Sequence, residues 1–279
     1  MDKNILKRIF KYIFMGIPQY NIKVEVKPNC TGKQLLDKNI VITGGSKGIG
    51  FAIAEKCINE GTNVIICGRN EQSLNSAKEK LGVKCRTLQF DLAKVDQIPD
   101  FINRTFELFN NKVDCVVNNA GISYHENSIQ KVTNEGFTEQ FNVNFKAAYF
   151  IAKYYIEKLE ALGTIQGSNM LFLSSERGSF CEEIPYGLSK ATINSLVGAL
   201  GKKYIHKGMH VNAIAPGVTA SDMTGHKIDG NYFSESSPSS RIFHPSEMAE
   251  VACFLLSDAS SCISGEVVHC DAGKHLNKI

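Results

Sequence analysis

Apolar runs of five to seven residues alternate with longer stretches of helical periodicity along most of this chain. The β-type runs fall at Asn39–Thr43, Asn63–Cys67, Lys84–Gln89, Val113–Asn118, Asn169–Ser174, Met209–Ala215 and Glu266–Cys270. Helix-type runs separate most of them: Ile49–Glu60, Glu71–Leu81, Asp96–Asn110, Gly136–Leu162, Tyr186–Lys207 and Pro245–Ser257. This alternation predicts an α/β fold, a doubly wound parallel sheet of about seven strands with helices on both faces and right-handed crossovers. Val64-Ile65-Ile66 and Cys115-Val116-Val117 are continuously apolar, as strands covered on both faces should be. Ligands of such sheets bind beyond the carboxyl ends of the strands, so residues just after the strands carry the functional expectation.

Two regions fall outside the alternation. Ser221 to His244 and the tail after Gly273 lack strong periodicity. Residues 1–37 read as an arm and linker preceding a domain at 38–279. Within residues 3–14, Ile5, Leu6, Ile9, Phe10, Ile13 and Phe14 share one helical face, and Lys3, Lys7, Arg8 and Lys11 the other, until Pro18 ends the pattern. A basic amphipathic helix of this kind can lie on an anionic membrane surface. It can equally pack on its own domain or on a partner subunit. No apolar run is long enough to span a bilayer, and the charges interrupt the arm too often for a signal-peptide core.

Composition narrows the classes. A chain of 279 residues with 43% hydrophobic content suits one large domain. A net charge of +3, without a basic patch interleaved with aromatics, argues against a nucleic-acid partner. None of the nine cysteines belongs to a C-x-x-C pair, so they read as small buried hydrophobes in a reducing cytosol, and the seven histidines show no metal-ligand spacing. The expected location is cytoplasmic, peripheral at the inner membrane surface if the arm binds lipid.

Candidate chemistry follows the strands. Thr43-Gly44-Gly45-Ser46-Lys47-Gly48-Ile49-Gly50 joins the first strand to the first helix. Its glycines let bare backbone approach a ligand, and the helix start behind it suits a pyrophosphate. Arg69 follows the second strand, where an acid would select NAD through the ribose hydroxyl. A basic residue there suits the 2′-phosphate of NADP(H), which makes NAD(H) the less favoured cofactor, and Lys47 can serve the same phosphate. Asp91-Leu92 and Asn118-Asn119-Ala120-Gly121 follow the third and fourth strands, as ordinary turns or as contacts to adenine and ribose. Tyr186 and Lys190 lie four apart at a helix start marked by Pro185, so they share a face, and an ammonium there would favour the phenolate. Ser175 ends the fifth strand, with Ser174 as substitute. Asn144 interrupts a long helical run, which hints at a kink or a structural water.

Taken together, these residues resemble the short-chain dehydrogenase/reductase family in its single-domain, Rossmann-type branch, over roughly Leu36 to Gly273. Thr43-Gly44-x-x-x-Gly48-x-Gly50 resembles the family's cofactor loop. Asn144, Ser175, Tyr186 and Lys190 resemble its catalytic tetrad, and Pro216-Gly217-Val218 with Ser221 the segment against the nicotinamide. The resemblance implies hydride transfer between NADP(H) and a small-molecule carbonyl or alcohol, with 3-oxoacyl thioesters and sugar or polyol precursors as the substrate classes in view. Tyr186 would be the general acid/base, Lys190 would lower its pKa and hold the nicotinamide ribose, Ser175 would polarise the carbonyl, and Asn144 would hold a relay water. A homodimer or homotetramer is implied too. The alternative of another class is a regulator that binds NADP without turnover. Three departures stand out: Ser221 replaces threonine, Ser175 and Tyr186 are only eleven positions apart, and Glu176-Arg177 make the substrate mouth polar.

Overall fold

Residues 20–25 and 32–276 are described by the computed structural model; the amphipathic pattern at 3–14 lies outside them. The apolar runs form seven parallel strands: β1 (Asn39–Thr43), β2 (Asn63–Gly68), β3 (Cys85–Gln89), β4 (Cys115–Asn118), β5 (Asn169–Leu173), β6 (His210–Pro216) and β7 (Val267–Cys270). They make one sheet in the order β3-β2-β1-β4-β5-β6-β7. The order reverses between β1 and β4, so their carboxyl ends open a crevice at that switch point.

Period-two alternation divides the strand side chains between two cores. Val41, Ile65, Val116 and Phe172 face α3 (Ile98–Leu108), α5 (Ala147–Leu162) and α6 (Pro185–Tyr204), around Phe106, Tyr155 and Val197. Ile40, Ile66, Val117 and Leu171 face α1 (Gly48–Asn59), α2 (Glu71–Leu81) and α7 (Pro245–Leu256), around Ile53, Leu74 and Leu255. Each fully buried Val, Leu, Ile or Phe contributes about 1.5–3 kcal/mol, which makes these two layers the main source of stability.

The expected Gly136–Leu162 helix is three pieces: α4 (Asn134–Phe141), a π turn at Asn142–Lys146, and α5. The interruption sits on Asn144, where the poor helix former hinted at a kink. A charged group is also enclosed. Lys56 on α1 bonds Glu60 and Glu250, each at 3.0 Å. Burial alone would lower its pKa, but the two carboxylates hold it above the usual lysine range.

The segment from Ser221 to His244 has no long helix or strand. Short bridges pair Thr219 with Phe243 and Phe233 with Arg241, and Arg241 is bidentate to Glu247 at the start of α7 (2.7 and 2.8 Å). Residues 20–24 of the linker lie against this segment.

Candidate active site

The crevice is a cavity of about 740 Å³, within the range of small-ligand sites. Its floor begins at the glycine turn. Gly44 and Gly48 have positive φ (65° and 58°), which a residue with a Cβ would adopt only with strain. At Gly50 a Cβ would lie 2.4 Å from both the Gly44 carbonyl oxygen and the Asn119 amide nitrogen. That amide donates to the carbonyls of Thr43 (2.8 Å) and Gly44 (3.0 Å), so Asn119 braces the turn from β4. Thr43 does the same from β1: its hydroxyl accepts from the backbone N–H of Asn119 and Ala120.

Every residue expected at the cofactor lines this cavity except Thr43 and Asn118. Both are buried behind the wall. Thr43 ties β1 to β4, and the amide of Asn118 is buried without a bonding partner. Asp91 lines the cavity, and its carboxylate accepts from the Ala93 N–H, an ordinary turn bond. Arg69 is exposed at the end of β2. Lys47 does not stand free: its ammonium pairs with Asp222 at 2.7 Å, linking the glycine turn to the segment after β6.

At the other end the reactive side chains converge. The turn Glu176–Ser179 after β5 puts Ser175 on the cavity wall with Tyr186, where the Ser175 hydroxyl accepts from the Arg177 N–H (3.2 Å) and acts to lower the Tyr186 pKa. Ser174 is committed elsewhere, donating to the side chain of Asn194 on α6. A Cβ at Gly178 would lie 2.8 Å from Lys190 backbone, so this turn presses directly on α6. That close approach lets a connection of eleven positions deliver Ser175 to Tyr186.

Lys190 is enclosed, and its ammonium donates to the Leu173 carbonyl at 2.6 Å. Burial pushes its pKa down to about 8. The shared helix face puts Lys190 Nζ 5.8 Å from the centre of the Tyr186 ring. The expected lowering of Tyr186 below the usual tyrosine range is not what results. Burial raises the phenol, and the Ser175 hydroxyl and the Arg177 charge offset this only partly. A spacing of four residues reports a shared face, while desolvation depends on the cavity wall.

Asn144 uses its whole amide: Oδ1 accepts from Ile122 N–H (2.8 Å), and Nδ2 donates to Ile122 C=O (2.9 Å) and to Ser189 (3.2 Å). It therefore fixes the loop after β4 against α6. An added Cβ at Gly121 would lie 3.4 Å from Asn144 Oδ1 and 3.5 Å from Lys190 Nζ, ordinary contact distances.

Three charged residues outside the expected site set also reach this end of the cavity. Glu126 lines it, with one carboxylate oxygen on Gln140 and the other buried and unbonded. Arg177 lines it too, paired with Glu182 at 2.6 Å while its Nε is buried and unbonded. Glu176, beside Ser175, is 4% exposed and pairs with Lys274 of the tail at 2.8 Å. Only Glu176-Arg177 carried a signal in the sequence, as charges flanking the serine.

A family model described as Enoyl-(Acyl carrier protein) reductase matches residues 44–275. The 3-oxoacyl-(acyl-carrier-protein) reductase of Chlamydia trachomatis is 32% identical over 248 residues, covering 86% of this chain and 98% of that protein. The chain belongs to the short-chain dehydrogenase/reductase family. It is an oxidoreductase that binds a nicotinamide cofactor. Its short-chain reductase fold superposes on the 3-ketoacyl-(acyl-carrier-protein) reductase of Brucella melitensis, complexed with NADH, with a TM-score of 0.77. That likeness, at 24% identity over 86% of this chain and 99% of the other, is one of fold. An uncharacterized oxidoreductase of Bacillus subtilis, 29% identical, matches 96% of this chain and 93% of its own length. Among the described residues no helix is long and apolar enough to cross a membrane, and no group of three or more His, Cys, Asp or Glu could hold a metal ion.

Proposed function

We propose that this chain is an NADP(H)-dependent reductase that interconverts a ketone and a secondary alcohol, with a 3-oxoacyl thioester as the first substrate class. The observation that carries the chemistry is the Ser175–Tyr186 hydroxyl pair beside the enclosed amine of Lys190. The glycine turn fits a dinucleotide, since it presents bare backbone to the cavity and a Cβ at Gly50 would push apart the Gly44 carbonyl and Asn119 amide that hold its shape. When bound, the nicotinamide supplies the hydride.

This chain's residues do the rest. Tyr186, held protonated at neutral pH by burial, donates its proton to the carbonyl oxygen. Ser175 positions and polarises the same oxygen. Lys190 brings positive charge to the closed end and is the ribose contact. Asn144, its amide committed to Ile122 and Ser189, holds the loop after β4 against α6 rather than a relay water, at a π turn of the kind frequent at functional sites. Lys47 and Arg69, with Arg69 rather than an acid directly after β2, support the 2′-phosphate; Lys47 would exchange Asp222 for it. Exposed Tyr149 on α5 and Leu188 on α6 suit self-association.

The unbonded Glu126 oxygen and Arg177 Nε favour a second reading, a compact hydroxylated ketone such as a sugar or polyol precursor. NADPH and NADH consumption over acetoacetyl-coenzyme A, sugar ketones and steroid ketones decides between them. NADPH preference is expected, weakened in Arg69→Asp, and Tyr186→Phe should lose about 10²–10⁴-fold in kcat with NADPH affinity kept. Preference for NADH would sink the cofactor assignment, and undiminished turnover in Tyr186→Phe would sink the mechanism.

A further inference from the structure

Four short stretches run side by side from the cavity wall outward. The innermost is 218–220, whose Val218 and Thr219 line the cavity. Phe243 N–H donates to Val218 C=O and Ala220 N–H to Phe243 C=O, both at 2.9 Å. Ile242 N–H donates to Tyr232 C=O at 2.8 Å, and Tyr232 N–H to Ile22 C=O at 3.1 Å. The outermost stretch, residues 20–24, precedes the family-matched region and is joined, as an added edge strand would be, to the segment from Ser221 to His244, whose first residues line the cavity and which forms its lid.

Side chains fasten the same edge. Asn231 Oδ1 accepts from Ile22 N–H (3.0 Å), and Asn231 Nδ2 donates to Tyr20 C=O (2.9 Å). The rings of Tyr20 and Phe233 lie 5.0 Å apart. Ile22 and Val24 pack, with cavity-lining Val218, on the buried cluster of Ala220, Tyr232 and Ile242. Tyr232 is among the largest fully enclosed side chains of the protein, in a segment with no long helix or strand of its own.

We infer that residues 20–24 are the outer strand of the substrate lid, and that they set how tightly the carbonyl substrate is held without taking part in the chemistry. The bonds fix 231–233, these fix 241–243, and these fix 218–220 at the cavity. The glycine turn is braced chiefly by Thr43 and Asn119, and its exposed Lys47–Asp222 tie to the segment after β6 is worth little. Loosening the strap therefore loosens the cavity wall at 218–220 and leaves the glycine turn in place. The effect on turnover rests on the proposed reductase reading; the effect on the lid does not.

The test uses the full chain with Ile22→Asp/Val24→Asp, with Asn231→Leu, and with the conservative Ile22→Val/Val24→Ile. Backbone hydrogen exchange over 226–243 should accelerate in the first two and not in the third. KM for acetoacetyl-coenzyme A, or for the sugar ketone that is turned over, should rise about tenfold, with kcat and NADPH affinity within about twofold. A merely structural strap would lower stability and kcat with KM unmoved, which overturns the inference, as does unchanged exchange. A parent chain inactive on every ketone counts against the proposed function, while exchange still decides the strap.

Discussion

The glycine-turn half of the cavity, the proposed cofactor half, is built largely of backbone, whereas the proposed substrate half is built of side-chain ties between distant segments. In the first, Gly44, Gly48 and Gly50 lie in a turn whose shape is fixed by hydrogen bonds to main-chain groups from Thr43 and Asn119. In the second, Lys274 reaches Glu176 across 98 positions, and Ile22 reaches Asn231 across 209. Backbone cradles recognise what every dinucleotide shares, its pyrophosphate and ribose. Side-chain ties can be exchanged without disturbing that cradle, so one fold can keep its cofactor while its substrate varies.

The largest effect should come from adding one methyl group to the backbone half. In Gly50→Ala the new Cβ meets the Gly44 carbonyl and the Asn119 amide at 2.4 Å, and neither is the free end of a flexible chain. NADPH affinity should fall by about 10²–10³-fold, or roughly 3–4 kcal/mol. Fluorescence titration with NADPH measures this directly. Affinity within twofold of the parent would mean that the turn yields easily, and the contrast between the two halves would fail.

The next effect lies on the seam. Lys190 titrates near 8 because burial disfavours its charged form, against about 10.4 in an unfolded chain. Between those values the unfolded chain binds the extra proton, so this residue makes stability rise with pH. Below 8 the cost of the buried charge is present in full, and above about 10.5 it is gone. Several buried cysteines oppose the trend, Cys67 and Cys115 being pushed up to about 12. The comparison is therefore between the parent and Lys190→Met, each unfolded in urea from pH 7 to 10. The parent should gain on the variant by up to about 3 kcal/mol, because a tenfold change in proton affinity between the folded and unfolded chains is worth about 1.4 kcal/mol. Parallel stability curves would show that Lys190 is not desolvated as the structure places it.

How legible each half was in the sequence follows from the same contrast. The strand Asn39–Thr43, the turn after it and the break at Asn144 were readable because each is local: a period of two, glycines at a strand–helix junction, a poor helix former inside a helix. Ser175 could be set beside Tyr186 only once Gly178 was seen pressing on Lys190, since the short connection alone left Ser174 in play. Lys47 carried a plausible role toward a phosphate, but its engagement by Asp222 depends on where the lid lies. Lys274 and Ile22 gave no signal, because each acts on a segment far away in sequence and belongs to a stretch without periodicity. The raised pKa of Tyr186 was hidden for a different reason: spacing shows which groups share a face, and desolvation is a property of the closed cavity.

The smallest effect tests the substrate half from its C-terminal side. Glu176 is enclosed beside Ser175, its charge disfavours the Tyr186 phenolate, and Lys274 is its ion-pair partner at 2.8 Å. Lys274→Met should leave that carboxylate uncompensated. In the proposed mechanism alcohol oxidation needs Tyr186 as the base, so the pH at which oxidation reaches half its maximal kcat/KM should move upward by about half a unit. Glu176→Gln removes the negative charge itself, and the Glu176→Gln/Lys274→Met double variant should return the limb to the parent value or below it. A purely mechanical role for the tail would lower activity at every pH without moving the limb, and the double variant would then be no better than Lys274→Met. A moved and restored limb would show that a residue 98 positions away tunes the acid–base group through charge, as expected of a half assembled from remote side chains.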